Sequence, residues 1–150
     1  MKENQYLEMK QAHQKEVNNF PVFFAFSKDQ FKEGIERLGL TENDTDKIYS
    51  IGGGGYIKKA DSKAFNDLFD KQDKELNKAI ENDTDGTGFI FDMFYYELNN
   101  HEYIITYDVS DTLDCLGITE KQLEENNNLK NGLRLAIKQI RKDYAEQEEY

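Results

Sequence analysis

The chain has 150 residues and a formal net charge of −11, because 19 Lys and Arg stand against 30 Asp and Glu. This length predicts a single domain over residues 1–150, and the acidic balance counts against direct binding of nucleic acid or of an anionic membrane. A single Cys excludes an intrachain disulfide framework and a Cys-rich zinc site. With no apolar run of ~20 residues and no signal-peptide core at the N-terminus, we expect a cytoplasmic protein.

The first third of the chain predicts two helices separated by a strand. Residues 1–18 carry a narrow apolar stripe with helical spacing, which predicts a polar N-terminal helix that docks loosely. The aromatic run 20–26 predicts a strand. Ser27 and Gln30 fit a capping box, so a helix is expected to begin there and to end at Gly39.

The middle of the chain predicts a hairpin followed by two helices. Residues 47–51 and 56–59 resemble two strands, and the four glycines 52–55 join them. The period of the apolar residues predicts a long helix from 63 to about 82. Residues 89–98 are apolar nearly all round, which favours a buried helix, with a strand as the alternative.

The C-terminal third predicts one more strand and three helices. Residues 103–108 are β-branched and aromatic, which predicts a strand. Ser110 is expected to cap a short helix, a capping box is expected at Thr119, and a last helix leads into a frayed tail at 145–150. The predicted class is α+β, with a small, mostly antiparallel sheet of three or four strands packed against several helices.

A faint internal repeat joins two parts of the chain. Residues 23–42 and 104–120 both read as strand, capped helix and the letters L-G-[LI]-T-E. The favoured interpretation is that these letters only end one helix and begin the next.

Two loops have features of ligand-binding motifs. The glycines 52–55 lie between strands and lack a following Lys-Ser or Lys-Thr pair, so a flexible hairpin tip is favoured over a phosphate loop. The segment 81–92 partly matches a calcium loop, with Asp83, Asp85 and Asp92 as weak candidate ligands. Acidic turns are also common without a metal, since Asp and Asn favour turns.

Histidine and cysteine give little catalytic signal. His101 beside Glu102 could serve as a general base or metal ligand, but a hydrogen-bonded structural histidine is favoured. Cys115 lies between two leucines, which predicts a buried, inert thiol.

Negative charge is concentrated in the second half of the chain. Residues 76–150 hold 7 basic and 16 acidic side chains, and no Lys or Arg lies between Lys78 and Lys121. Two interpretations remain open. The stretch provides solubility and favourable helix-dipole placement, or it forms a surface that attracts a basic partner.

Several motifs carry resemblances to known families. Through FFAFSKDQF, IGGGGYIKK and MFYYELNNHEYI, the chain resembles a small family of uncharacterised acidic proteins from gut bacteria, their phages and mobile elements. Residues 24–40 are also similar to the opening strand and helix of antirestriction proteins from conjugative transposons, which mimic DNA and block restriction enzymes. The resemblance implies an anti-defence inhibitor and assigns no residue a role.

We therefore predict a small, non-enzymatic binding protein without a cofactor. Its partner would be a basic, nucleic-acid-handling protein, inhibited as by antirestriction or anti-CRISPR proteins through carboxylates that replace phosphates. The predicted contact residues are Glu81, Asp83, Asp85, Glu97, Glu102, Asp108, Asp111 and Asp114. The alternatives are a calcium-binding protein and an adaptor that forms a homodimer through its first helix.

Overall fold

The computed structural model describes residues 3–148, in which helices predominate. The helices are α1 (Gln5–Asn18), α2 (Lys28–Arg37), α3 (Ser62–Asn82), α4 (Phe89–Asn100), α5 (Tyr103–Thr106), α6 (Ser110–Leu116), α7 (Glu120–Glu125) and α8 (Asn127–Glu148). The strands are β1 (Phe23–Phe24), β2 (Ile48–Gly52) and β3 (Gly55–Lys58). This confirms the predicted α+β class. Among the described residues, no helix combines the length and apolar character needed to cross a membrane.

The chain divides into two compact units. The sheet unit is Ala12–Lys74, and the helical unit is Met1–Gln11 with Glu75–Tyr150. Helices α1 and α3 each contribute residues to both units. A single domain over 1–150 stays a prediction, because only a measurement of whether the chain unfolds in one cooperative transition can test it.

The sheet unit is built on an antiparallel sheet of order β1-β3-β2. The hairpin of β2 and β3 confirms the prediction, and Gly52, Gly53 and Gly54 turn it with positive φ angles that favour glycine. The aromatic run 20–26 contributes only the short strand β1, whose Phe23 is buried against Ile35 of α2.

Helix α2 begins and ends where the sequence predicts. The Ser27 hydroxyl accepts a hydrogen bond from the Gln30 backbone N–H (3.2 Å), and the Gln30 side chain accepts one from the backbone of Phe26 (2.8 Å). Gly39, with φ +76°, follows the helix, and Leu40 donates its backbone N–H to the Ile35 carbonyl. These local signals depend on a few neighbouring residues, which is why the sequence predicts them.

The helical unit surrounds the buried helix α4, which confirms the prediction for residues 89–98. Ile90, Met93, Phe94 and Leu98 on this helix are fully buried. Helix α8 packs against it with a complementary apolar face that consists of Leu129, Leu133, Ala136 and Ile140. A helix that is apolar on most sides requires such cover, so α4 forms the centre of this core.

The predicted strand at 103–108 is wrong, because the structure has the helical turn α5 there. Tyr103 is buried in the core whereas Ile105 is 72% exposed. All three strands within residues 3–148 lie in the sheet unit, so this segment pairs with no strand of its own unit. The strand-and-helix repeat is therefore also wrong, since its second copy lacks the strand.

The C-terminal helices correct two local details. Ser110 does not cap α6 with its side chain. Its backbone N–H instead donates to the Asp108 carboxylate (2.9 Å). The Thr119 capping box is confirmed. Helix α8 continues to Glu148, so 145–148 are helical where a frayed tail was predicted, and residues 149–150 lie outside the described residues.

Candidate functional site

Four predicted contact residues lie in one short part of the helical unit, the acidic segment (residues 102–114). Glu102 precedes α5, Asp108 follows it, and Asp111 and Asp114 lie on α6. All four are exposed. Residues three apart are neighbours on a helix surface, so Asp111 and Asp114 lie side by side.

The backbone of the acidic segment is held in an unusual conformation. Glu102 and Tyr107, on either side of α5, have φ angles of 56° and 55°. A left-handed conformation is strained for a residue with a side chain and persists only where its surroundings impose it. Tyr103 and Leu113 are buried and fix the segment to the core, and this packing helps to impose the conformation.

The acidic segment also exposes two large apolar side chains. Ile105 is 72% exposed and Tyr107 is 63% exposed. The Tyr107 ring packs edge-on against Tyr103, with 6.0 Å between centroids, and the Arg141 guanidinium lies 6.0 Å from its centre. Aromatic side chains are enriched at protein-binding surfaces, where they supply contact area.

A cavity of about 330 Å³ lies at the end of the acidic segment. Leu113 and Ile118 contribute apolar walls, and Asp114 and Glu120 contribute carboxylates. This combination suits the side chain of Arg or Lys, which has an apolar stem and a charged end.

The carboxylates of the 81–92 loop are used within the fold. Asp83 accepts hydrogen bonds from the backbone N–H groups of Gly86 (3.0 Å), Gly88 (3.1 Å) and Ile90 (2.9 Å), and thereby caps α4. Asp85 accepts from Thr87, and the buried Asp92 accepts from the Gln5 backbone (2.9 Å). Within residues 3–148, these three carboxylates do not form a group with metal-ligand spacing. Their arrangement therefore favours turns and caps over a calcium loop.

The predicted contact set is divided by the fold. Glu81, Asp83 and Asp85 precede α4, whereas the acidic segment follows it. A helix rises ~1.5 Å per residue, so the two groups are separated by about 18 Å of helix. The residues of the predicted set that are not buried therefore form two groups, 81–85 and the acidic segment, and Glu120 lines the cavity beside the second group.

Glu97 leaves the contact set because its side chain is fully buried. Its Oε1 accepts hydrogen bonds from the Tyr6 hydroxyl (3.2 Å) and the Lys10 ammonium (3.0 Å). Its Oε2 accepts one from the Cys115 thiol (3.2 Å) and lies 3.7 Å from Nδ1 of His101. A buried carboxylate needs such partners, since an unpaired charge is costly away from water.

These contacts shift the protonation of the groups involved. Burial opposes ionisation of Glu97, but its hydrogen bonds from Lys10, Cys115 and Tyr6 outweigh burial and lower its pKa. Burial and the adjacent carboxylate raise the pKa of the Cys115 thiol. They also raise the pKa of Tyr6 above its ordinary range. Residue Cys115 as a whole is exposed while its thiol is partly buried against Glu97, so the prediction of a fully buried thiol is wrong.

Sequence reasoning missed several residues of these sites. The strand composition of 103–108 hides the exposed Ile105 and Tyr107, and the polar character of the first helix gives no sign of the contact that Lys10 makes. The spacing of Glu97 and His101, one helical turn apart, is visible in the sequence once 89–98 is taken as a helix. Their approach to Tyr6 and Cys115 depends on tertiary packing and has no local signal. His101 makes the predicted kind of hydrogen bond, since its Nδ1 lies 2.8 Å from the Glu97 carbonyl oxygen.

Comparison with known proteins gives one family match. Residues 5–139 match the model of a family of unknown function, DUF7659. The chain matches no curated protein and no solved structure at a significant level. The match extends over most of the chain and assigns neither a reaction nor a partner.

Proposed function

The chain belongs to the DUF7659 family, whose function is unknown, and we propose that it is a non-enzymatic binding protein that holds a basic protein on its acidic segment. Supporting observations are the exposed Ile105 and Tyr107 among Glu102, Asp111 and Asp114. The carboxylates attract and orient a basic partner, and the two apolar side chains contribute area that leaves water on binding.

The absence of positive charge in this stretch supports a cationic partner. No Lys or Arg lies between Lys78 and Lys121 in the sequence. A surface that served only solubility would gain by mixing both signs. The fold brings a positive charge close to this stretch, because the Arg141 guanidinium faces the Tyr107 ring.

The cavity beside Asp114 supplies an anchoring point. Its walls and carboxylates suit an Arg or Lys of the partner, and desolvated Arg anchors often dominate binding energy. In the finer form of the proposal, the partner is a nucleic-acid-handling defence enzyme. The carboxylates of the acidic segment would occupy the site where that enzyme binds phosphates, and would inhibit it in the manner of antirestriction or anti-CRISPR proteins.

Pull-downs that use wild type and a variant of the chain as baits test the proposal. We expect wild type at low salt to recover basic nucleic-acid-handling proteins, and a Glu102→Lys, Asp111→Lys, Asp114→Lys variant to lose them. Asp108 is left unchanged because it holds the Ser110 backbone N–H. Binding should fall as salt rises, since salt screens exposed charges.

A variant with equal net charge is the control. Glu33→Lys, Glu36→Lys, Asp70→Lys changes three exposed acids of the sheet unit and produces the same total charge. We expect this control to retain the partner. Equal loss in both variants would show that only net charge matters, and capture by neither wild type nor control would reject the proposal. Inhibition of the captured enzyme tests the finer form.

Self-association through α1 stays a prediction. Light scattering of the full chain gives its mass in solution, and a dimeric mass that persists without residues 1–18 would contradict the α1 interface.

A further inference from the structure

Three metal-ligating side chains converge in the helical unit, next in sequence to two of the exposed carboxylates discussed above, Glu102 and Asp114. They are Glu97 and His101 on and just after α4, and Cys115 on α6. One ligand atom from each lies within 4.8 Å of the other two. The group thus combines a carboxylate oxygen, an imidazole nitrogen and a sulfur at the separation that one metal ion can bridge.

The two oxygens of Glu97 face different partners. Oε1 receives Tyr6 and Lys10, whereas Oε2 faces Cys115 at 3.2 Å and His101 at 3.7 Å. Lys10 and Tyr6 therefore orient the carboxylate so that Oε2 points at the other two groups. Hydrogen bonds of this kind to the remaining atoms of a ligand are typical of metal sites.

Burial within the group changes from one member to the next. The Glu97 side chain is fully buried, the His101 side chain is 24% exposed, and Cys115 is exposed. The carboxylate is thus anchored in the core, while His101 and Cys115 belong to the more exposed side of the group and the Cys115 thiol itself is partly buried against Glu97. This gradient of exposure provides a side from which an ion can enter.

We propose that Glu97 Oε2, His101 and Cys115 bind a divalent cation of the zinc class. Three protein ligands of the types S, N and O, with an open fourth position, are typical of zinc sites that keep a water or substrate ligand. Calcium and magnesium do not suit the site, because they prefer oxygen ligands. The site stands on different residues from the acidic segment and does not depend on the proposed function.

Binding exchanges protons in a defined way. The Cys115 thiol releases one proton to become a thiolate. The carboxylate and the thiolate then supply two negative charges, while the Lys10 ammonium beside Glu97 adds one positive charge to the two of the ion. His101 Nδ1 contacts the Glu97 carbonyl at 2.8 Å. Nδ1 is also the nitrogen that lies 3.7 Å from Glu97 Oε2. When Nδ1 binds the ion, the neutral ring carries its proton on Nε2 and the contact with the carbonyl is given up.

The experiment uses the full chain after removal of metals with a chelator. Calorimetry with Zn²⁺ should show one equivalent bound with release of a proton, and Ca²⁺ should show no binding there. Cys115→Ser and His101→Gln should each weaken Zn²⁺ binding at least about tenfold. Asp85→Asn alters an exposed loop carboxylate and should bind Zn²⁺ as wild type does.

A second measurement needs no variant. Cys115 is the sole cysteine, so its alkylation by iodoacetamide reports on this site alone. Zn²⁺ should slow alkylation, and excess chelator should restore the rate. The proposal is overturned if Zn²⁺ leaves the alkylation rate unchanged, or if Cys115→Ser binds Zn²⁺ as tightly as wild type.

Discussion

The two units of the chain place charge and aromatic side chains differently. The sheet unit has 10 basic and 11 acidic residues, whereas the helical unit has 9 and 19. In the sheet unit, Phe24 and Phe26 are exposed beside the glycine hairpin. In the helical unit, Ile105 and Tyr107 are exposed among carboxylates. The contrast shows that a net charge of −11 describes mainly one unit, which is where an electrostatic function is expected.

The largest effect is expected from the buried carboxylate of the helical unit. Lys10→Met should lower the free energy of unfolding by about 3 kcal/mol, because Glu97 then keeps a buried charge without its cation. This loss of stability lies at the low end of the range for breaking a buried ion pair, since nearly half of the Lys10 side chain reaches solvent.

The matched control is Lys63→Met, which breaks the exposed pair with Asp67 on α3. That change should cost less than about 0.5 kcal/mol. Urea denaturation followed by circular dichroism measures both variants. Equal costs would contradict the difference that we infer between the two ion pairs.

Two glycine substitutions test whether the two units unfold together or independently. Gly34→Ala places a Cβ 2.1 Å from the Phe23 ring in the sheet unit, and Gly132→Ala places one 2.4 Å from Ile90 in the helical unit. Each should destabilise its own unit by about 1–3 kcal/mol through overpacking. If the chain is one cooperative domain, either variant lowers a single thermal transition in calorimetry. Two transitions that shift separately would contradict the single-domain prediction.

Acid should weaken the helical unit through Glu97. The pKa of Glu97 is lowered in the folded chain, so its contribution to stability is present above the unfolded value of about 4.3 and is lost as pH falls through the folded value. Denaturation of metal-free protein between neutral and acidic pH measures this slope. Glu97→Gln should have a flatter profile than wild type over this range, and an identical slope would contradict the assignment.

The smallest effect is expected at the strained residue before α5. Glu102→Gly should stabilise the chain by at most about 1 kcal/mol, because glycine adopts a φ of 56° without a steric penalty while its greater unfolded-state entropy offsets part of the gain. Glu102→Ala is the control, since it removes the carboxylate and keeps the strain. Equal thermal midpoints for the two variants would contradict the inferred strain.

Local signals explain how much of this fold the sequence predicts. Ser27, Thr119 and the glycines 52–55 act through near neighbours, so the ends of α2 and α7 and the β2–β3 hairpin follow from a few letters. Residues 103–108 have strand composition but follow the packing of Tyr103 into the core. Tertiary packing overrides propensity there.

The candidate sites divide in the same way. The charge imbalance of the second half is visible in the sequence and leads to Asp111 and Asp114. The burial of Glu97 is not visible, since an isolated Glu in a helix is usually exposed. Only the approach of Tyr6, Lys10 and Cys115 from distant parts of the chain explains it.

The most direct test measures affinity for the basic partner recovered by wild type. Calorimetry at about 50 and 200 mM salt compares wild type with the two triple variants, whose net charges are equal. We expect the Glu102, Asp111, Asp114 variant to bind at least about tenfold more weakly than the Glu33, Glu36, Asp70 variant, most clearly at low salt. Equal affinities of the two variants would contradict the claim that the acidic segment is the binding surface.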